Sequence, residues 1–380
     1  HGRLVLMPTM LPSVPKSLGR LSDVFRSAMA AASGEQNTLS LKPVDSAVVI
    51  LVDGLGSSNL KAASGHARYL AAALSVSPGI STVFPTTTAA ALTSMATGVL
   101  PAEHGIVGYR VFDRSRKQQQ NLLSGWTSYE ESSGWRYGPT LSDAAEKKGL
   151  AVHFVGLSAY QRSGFTNVIM PSAVYHSADS VADRFNEAAK LVRDKGQVVY
   201  LYVPELDQLA HAKGTDSFEW LAQLEELDSL VRDFSSRVGN RVGVLLTADH
   251  GVVDVPKSSH IELSAFDLTG LSFAGGDTRC AFLYFDHADE TQHAKTLLTE
   301  SIGDSCWVVT PSDLIEAGWM TEPNEVAAPR LPDLYVLSKK QVAIYHKAFS
   351  SYRSYAMVGH HGSITPEELS IPLLRLAAWS

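Results

Sequence analysis

Residues 47–52 read Ala-Val-Val-Ile-Leu-Val and run directly into Asp53-Gly54. An unbroken, largely β-branched run shows no apolar–polar alternation, so both faces of such a strand are covered, as in a parallel sheet packed between helices. Three further runs have the same character: AVHFVGL (151–157), VVYLYV (198–203) and RVGVLLT (241–247). Helical patterns separate them, SDAAEKKGL (142–150), SVADRFNEAAKLVRDKG (180–196) and SFEWLAQLEELDSLVRDFSSRVG (217–239). Strand and helix alternating at this spacing predict right-handed βαβ units, hence an α/β fold with a doubly wound, mostly parallel sheet flanked by helices. After residue 255 the texture changes. RCAFLYF (279–285), a helix across 290–302, WVVTP (307–311) and DLYVLSKKQVAIYH (333–346) predict a smaller inserted α/β lobe. The expected organisation is an N-terminal arm over 1–44 with an amphipathic stretch around Leu21–Ala31, a core over 45–255 and 351–380, and the lobe over 256–350.

The chain has 380 residues, 45% of them hydrophobic and 19% charged, enough apolar material for a large core. Its 32 basic and 39 acidic residues leave a formal net charge of −7, so no basic excess is available for a nucleic-acid polymer. A small phosphate-bearing substrate stays open, because a cation can supply positive charge locally. Two cysteines, Cys280 and Cys306, make neither a disulfide framework nor a CxxC metal site. No run approaches the roughly 18 apolar residues of a membrane span. The N-terminal sequence, with prolines through its apolar patch, has no apolar leader core, and a cytoplasmic location is the expectation. GLGSSN (54–59) is not a dinucleotide fingerprint, and neither GxSxG nor GxxxxGK[ST] occurs.

The acids carry the chemical signal. Asp53 follows the first run, Asp207 lies just past VVYLYV, and Asp249-His250 follows RVGVLLT. Ligands of open α/β sheets bind outside the carboxyl ends of the strands. Any one of these acids alone reads as an Asx turn or a helix cap. Three together would repel strongly unless a cation sits among them, and that favours metal. Asp207 and His211 are spaced to share one helical face. His360 and His361 precede a glycine, followed by a helix start with Thr365 as N-cap and Glu368 at the capping-box position; a histidine there completes a nitrogen–oxygen site. Thr86, Thr87 and Thr88 compete to cap an alanine-rich helix running to about Thr97, where a hydroxyl also sits in the positive end of the helix dipole.

VILVDGLG, PTTTAAALTSMATGVLPAEHGI, PELDQLAHAKG, LLTADHG and HHGSITPEE occur in the order found in the alkaline phosphatase superfamily. They most resemble its type I phosphodiesterase/nucleotide pyrophosphatase branch. The resemblance covers roughly 45–255 and 355–375 and implies a doubly wound α/β sheet, two divalent metal ions (zinc expected) and a threonine nucleophile. Carried over, Asp53, Thr88, Asp249 and His250 surround one ion, while Asp207, His211 and His361 hold the other. Thr88 is chosen because the family nucleophile lies ten residues before the glycine of its T-G turn, here Gly98; Thr87 and His360 are the runners-up.

Two departures stand out. Ala89-Ala90-Ala91 follows Thr88 where the branch has Phe-Pro-Asn, and Tyr109 falls near the family's phosphate-contacting asparagine. The resemblance implies hydrolysis of a small phosphodiester or nucleotide ester through a phosphothreonine. A phosphomonoesterase or phosphonate hydrolase on the same metals is the alternative, and a catalytically silent binding protein the non-enzyme reading. A sulfatase is disfavoured, since that branch modifies a cysteine or serine. Arg110 and Arg114 are expected to be solvated. Arg279 is expected in a wall over the metals, in contact with a leaving group.

Overall fold

A computed structural model of the chain describes residues 10–17, 19–77 and 79–380; residues 1–9 of the expected arm lie outside the described residues. In chain order the main sheet uses β1 (Ser46–Val52), β2 (Ala151–Gly156), β3 (Val174–Ser177), β4 (Gln197–Val203) and β5 (Val242–Thr247). The lobe adds β6 (Leu271–Asp277), β7 (Cys280–Phe285), β8 (Cys306–Val309) and β9 (Leu334–Ser338), and β10 (Leu373–Ala377) returns to the main sheet. Its order is β10-β5-β1-β4-β2-β3. All neighbours are parallel except β10, which runs antiparallel to β5 with Leu373 opposite Thr247. β1 lies between β4 and β5 and is buried along its whole length, as its unbroken apolar run requires.

The helices that matter below are α1 (Leu21–Ala32), α2 (Thr88–Thr97), α3 (Val181–Leu191), α4 (Glu205–Lys213) and α5 (Phe218–Val238). The amphipathic stretch of the arm is α1. Its Leu21, Val24, Phe25 and Ala28 are fully buried at helical spacing, and it packs on α2 and β1. Burial of a side chain such as Phe25 contributes about 1.5–3 kcal/mol.

In the lobe the strands run β6-β7-β9-β8, all antiparallel. β7 shows the period-2 division of a sheet covered on both sides. Cys280, Phe282 and Tyr284 join the main core, while Ala281, Leu283 and Phe285 pack with Ala294 and Leu298 of the helix Ala288–Ile302. The expected helix over 142–150 is instead two short 3-10 turns, Ser142–Ala144 and Glu146–Lys148. Asp143 accepts the Thr140 N–H, and Gly149 at φ 68° ends the run, so too few residues remain to offset helix nucleation.

Candidate metal centre

Three adjacent strands, β4, β1 and β5, end at the same sheet edge and deliver the three acids there. Asp53 continues β1, with its N–H on the Val203 carbonyl. Asp207 sits in the first turn of α4, just past β4. Asp249 and His250 follow β5, where Asp249 Oδ1 accepts the N–H groups of Gly54 and His250, both at 3.0 Å. Gly54 adopts φ 73°, and an added Cβ would meet Asp207 at 3.0 Å, so glycine after Asp53 is required twice over.

His250 Nε2 is the hub of one half. It lies 3.2 Å from Thr88 Oγ1, 3.5 Å from Asp53 Oδ1 and 3.3 Å from Asp249 Oδ2. In the other half, His211 Nε2 lies 3.2 Å from Asp207 Oδ2. The His361 ring stacks on His250 at 3.7 Å between centroids and stands 5.2 Å from His211. Asp207, His211 and His361 can converge on one ion, as can Asp53, Asp207 and His250, so Asp207 reaches both halves.

The donor chemistry fits cations. Each of the three histidines turns Nδ1 to a backbone carbonyl: His211 to Gly359 at 2.7 Å, His361 to Thr86 at 2.8 Å and His250 to Gly251 at 3.3 Å. An Nδ1–H donated in this way leaves Nε2 as a lone pair aimed inward, the arrangement that orients metal-binding imidazoles. Asp53 Oδ1, Asp207 Oδ1 and Asp249 Oδ2 are buried and have no hydrogen-bond partner, and three such oxygens in one place leave their desolvation uncompensated by protein groups. Burial, with the neighbouring Asp249 and Asp207, pushes the Asp53 carboxyl well above its ordinary range, although Tyr202 donates to it. Burial alone would lower His211, but without a cation Asp207 outweighs it and raises the imidazole to about 9, so an ion binding Nε2 there would displace a proton. Asp207 itself is held below the usual carboxylate range, because His211, His361 and His250 outweigh its burial. His361, by contrast, is driven well below its ordinary value by burial and by His250.

The three threonines take separate roles. Thr86 accepts the Gly362 N–H and donates to the Ser363 carbonyl. Thr87 occupies the N-cap position of α2 without a side-chain capping bond and lines the cleft beside Thr88. Thr88, the first helical residue, directs Oγ1 at His250. None of the three hydroxyls caps the helix, contrary to the reading in which they compete for that place. Of the adjacent histidines, His361 enters the cluster, while His360 turns away to Thr278 with Nδ1 2.8 Å from its hydroxyl.

Thr88, Asp207, His211 and His361 open onto a cleft of about 710 Å³ between the sheet edge and the lobe. Tyr109 lines it, with Arg110, Asn121 and Asp277. Three arginine expectations are corrected. Arg279 does not face the cleft: it is fully buried, because Glu368 offers a bidentate partner at 2.9 and 3.0 Å. Arg114 is not simply solvated but pairs with Asp333 at 2.6 Å. Arg110 lies on the cleft wall and donates to the Phe349 carbonyl. The expected capping box also changes, since the Glu368 carboxylate accepts from Arg279, the Ser363 N–H and the Thr365 hydroxyl instead of capping back.

Residues 47–364 match the family described as Type I phosphodiesterase / nucleotide pyrophosphatase. The chain belongs to that family. An uncharacterised pyrophosphatase/phosphodiesterase of Schizosaccharomyces pombe is 23% identical over 268 residues, 66% of this chain and 55% of that protein. Venom phosphodiesterase 2 of Crotalus adamanteus is 26% identical over 209 residues, 52% of this chain and 24% of its own length. The chain thus spans about half the length of the first relative and a quarter of the second. Among solved structures, murine ectonucleotide pyrophosphatase/phosphodiesterase 5, an inactive variant in complex with AMP, aligns with a TM-score of 0.66 at 17% identity. The alignment covers 87% of this chain and 88% of that one, so the two share the alkaline-phosphatase-like fold of this family.

Residues that sequence reasoning missed are Asp277, Thr278 and Asn121. The Gly275-Gly276 pair before Asp277 is the only local signal, since it marks a turn and says nothing of its destination.

Proposed function

We propose that the chain hydrolyses small phosphodiesters or nucleotide esters, with Thr88 as nucleophile and two divalent cations, zinc by the nitrogen–oxygen donor set, as cofactors. The observation that carries this reading is Thr88 Oγ1 standing 3.2 Å from His250 Nε2, among three buried carboxylates with unpartnered oxygens. Asp53, Thr88, Asp249 and His250 would hold one ion, and Asp207, His211 and His361 the other. Such ions lower the pKa of a coordinated hydroxyl and offset charge on phosphoryl oxygens.

The chain's own groups do the rest. The backbone holds Thr88 at the start of α2, where the helix dipole favours developing negative charge on Oγ1. In-line attack forms the Oγ1–P bond, breaks the P–O bond to the leaving alcohol, and leaves a phosphothreonine ester carrying the other substituent. Water then cleaves the Oγ1–P bond and restores the hydroxyl. The open cleft beside Thr88 gives a second substituent room, which suits a diester. Arg279, expected against the leaving group, is instead committed to Glu368, and Arg110 on the cleft wall donates to the Phe349 carbonyl.

Aryl esters with matched leaving groups test the reading. A bis-aryl phosphodiester should show the higher kcat/KM, with activity lost on chelation and restored by zinc. A clear monoester preference would move the chain to the phosphatase reading.

A further inference from the structure

The tip of the β6–β7 hairpin reaches the centre from the lobe. Asp277 pairs with Cys280, so Thr278-Arg279 is a two-residue loop, and the tip lies against the chain that carries His360 to Glu368. Asp277 lines the cleft together with Thr87 and Thr88 and lies against Gly362, whose N–H bonds the Thr86 hydroxyl at 3.0 Å. Thr278 Oγ1 lies 2.8 Å from Nδ1 of His360, the residue before His361. Arg279 grips Glu368, whose carboxylate accepts the Ser363 N–H at 2.9 Å and the Thr365 hydroxyl at 2.7 Å, fixing the turn after His361. Gly362 closes the contact. A Cβ there would meet Asp277 Cβ at 3.0 Å and Cys280 Cβ at 3.2 Å, so the two backbones are in direct apposition.

We propose that this hairpin tip is a positioning clamp for the site: Asp277 places Thr88 by bracing the Thr86–Thr87 segment before it, while Thr278 and Arg279 place His361 by holding His360 and Glu368. The assignment rests on the proposed roles of Thr88 and His361. It gives the buried Arg279–Glu368 pair a geometric purpose, because such a pair is weak evidence of stability by itself. Displacing a reacting group by an ångström can cost about 100-fold in rate, so side chains that only hold their neighbours have leverage.

Two variants separate the arms of the clamp. Thr278→Val removes the hydroxyl with little change of volume. Zinc titration of metal-stripped protein should show affinity weakened by about 10- to 100-fold, and Thr278→Ser should restore it. Asp277→Ala should lower kcat for a bis-aryl phosphodiester by about 100-fold, with KM and zinc affinity unchanged. Asp277→Asn, which keeps the volume and an acceptor, should recover most of that loss. Unchanged zinc affinity in Thr278→Val would overturn the His361 arm. A raised KM with kcat intact in Asp277→Ala would make Asp277 a substrate contact, and lost zinc would make it a ligand; either result overturns the Thr88 arm. Wild-type protein that binds zinc but turns over no diester refutes the proposed function and the Thr88 arm, while the zinc titration of Thr278→Val still decides the His361 arm. Wild-type protein that binds no zinc refutes both.

Discussion

Two adjacent histidines, His360 and His361, sit on one short segment and face different surroundings. His361 donates Nδ1–H to Thr86 and aims Nε2 into the carboxylate cluster, whereas His360 meets Thr278 with Nδ1 and leaves Nε2 buried without a partner. The sequence leaves both open, because neighbouring residues in an extended segment point to opposite sides and only the surroundings tell which side holds the ligand. His361→Ala should therefore abolish tight binding of one of two zinc ions and most of the activity. His360→Ala should keep both ions and weaken binding by no more than about 10- to 100-fold, the range for a second-sphere residue. Elemental analysis of the two purified variants checks this, and equal loss in both would contradict the assignment.

Loops between elements bring the centre together, and their glycines set the tolerances. Gly251, in the loop carrying Asp249 and His250, lies so close to the segment before β10 that an added Cβ would fall 2.0 Å from the Glu367 carbonyl oxygen. Gly251→Ala should cost about 1–3 kcal/mol or more of stability by overpacking and lower zinc content with it; a urea titration beside metal analysis reads both. The elements legible from sequence were those governed by local rules. Unbroken apolar runs marked the parallel strands, and acids just past their ends marked the edge where the candidate site lies. What escaped was set by partners far along the chain. Asp277 has no motif and gains its meaning only because the hairpin carries it to the cleft that Thr87 and Thr88 also line. The 142–150 stretch has helix-forming composition, yet Asp143 and Gly149 stop it at two 3-10 turns. Glu368 has the spacing of a capping box, but a guanidinium from the lobe claims its carboxylate.

At the scale of the molecule, buried ion pairs tie the lobe to the core. Besides Arg279–Glu368, Arg330 donates to Asp113 at 2.9 Å with both side chains buried, and its guanidinium also reaches the carbonyls of Gly105 and Trp135. Burial would raise the Asp113 carboxyl, but bonds from Ser115, Arg330 and Arg116 outweigh it and hold it below the usual carboxylate range. A depressed carboxyl stabilises the fold above its unfolded pKa of about 3.9, and that contribution is lost as pH falls toward the folded value. Asp113→Asn should cost about 3–5 kcal/mol at neutral pH, since it leaves a buried guanidinium without its counter-charge. The gap between wild type and variant in urea midpoint should narrow below about pH 4. A gap independent of pH would mean that packing, not charge, holds this junction.

Attack of Thr88 Oγ1 on phosphorus is tested most directly by trapping the covalent intermediate. Zinc-loaded protein turning over a bis-aryl phosphodiester is quenched in acid and its peptides are analysed by mass spectrometry. An aryl-phosphoryl group is expected on Thr88 and absent from the Thr88→Ala variant, which should also lose turnover. The adduct on Thr87, or full turnover in Thr88→Ala, would contradict attack by Thr88.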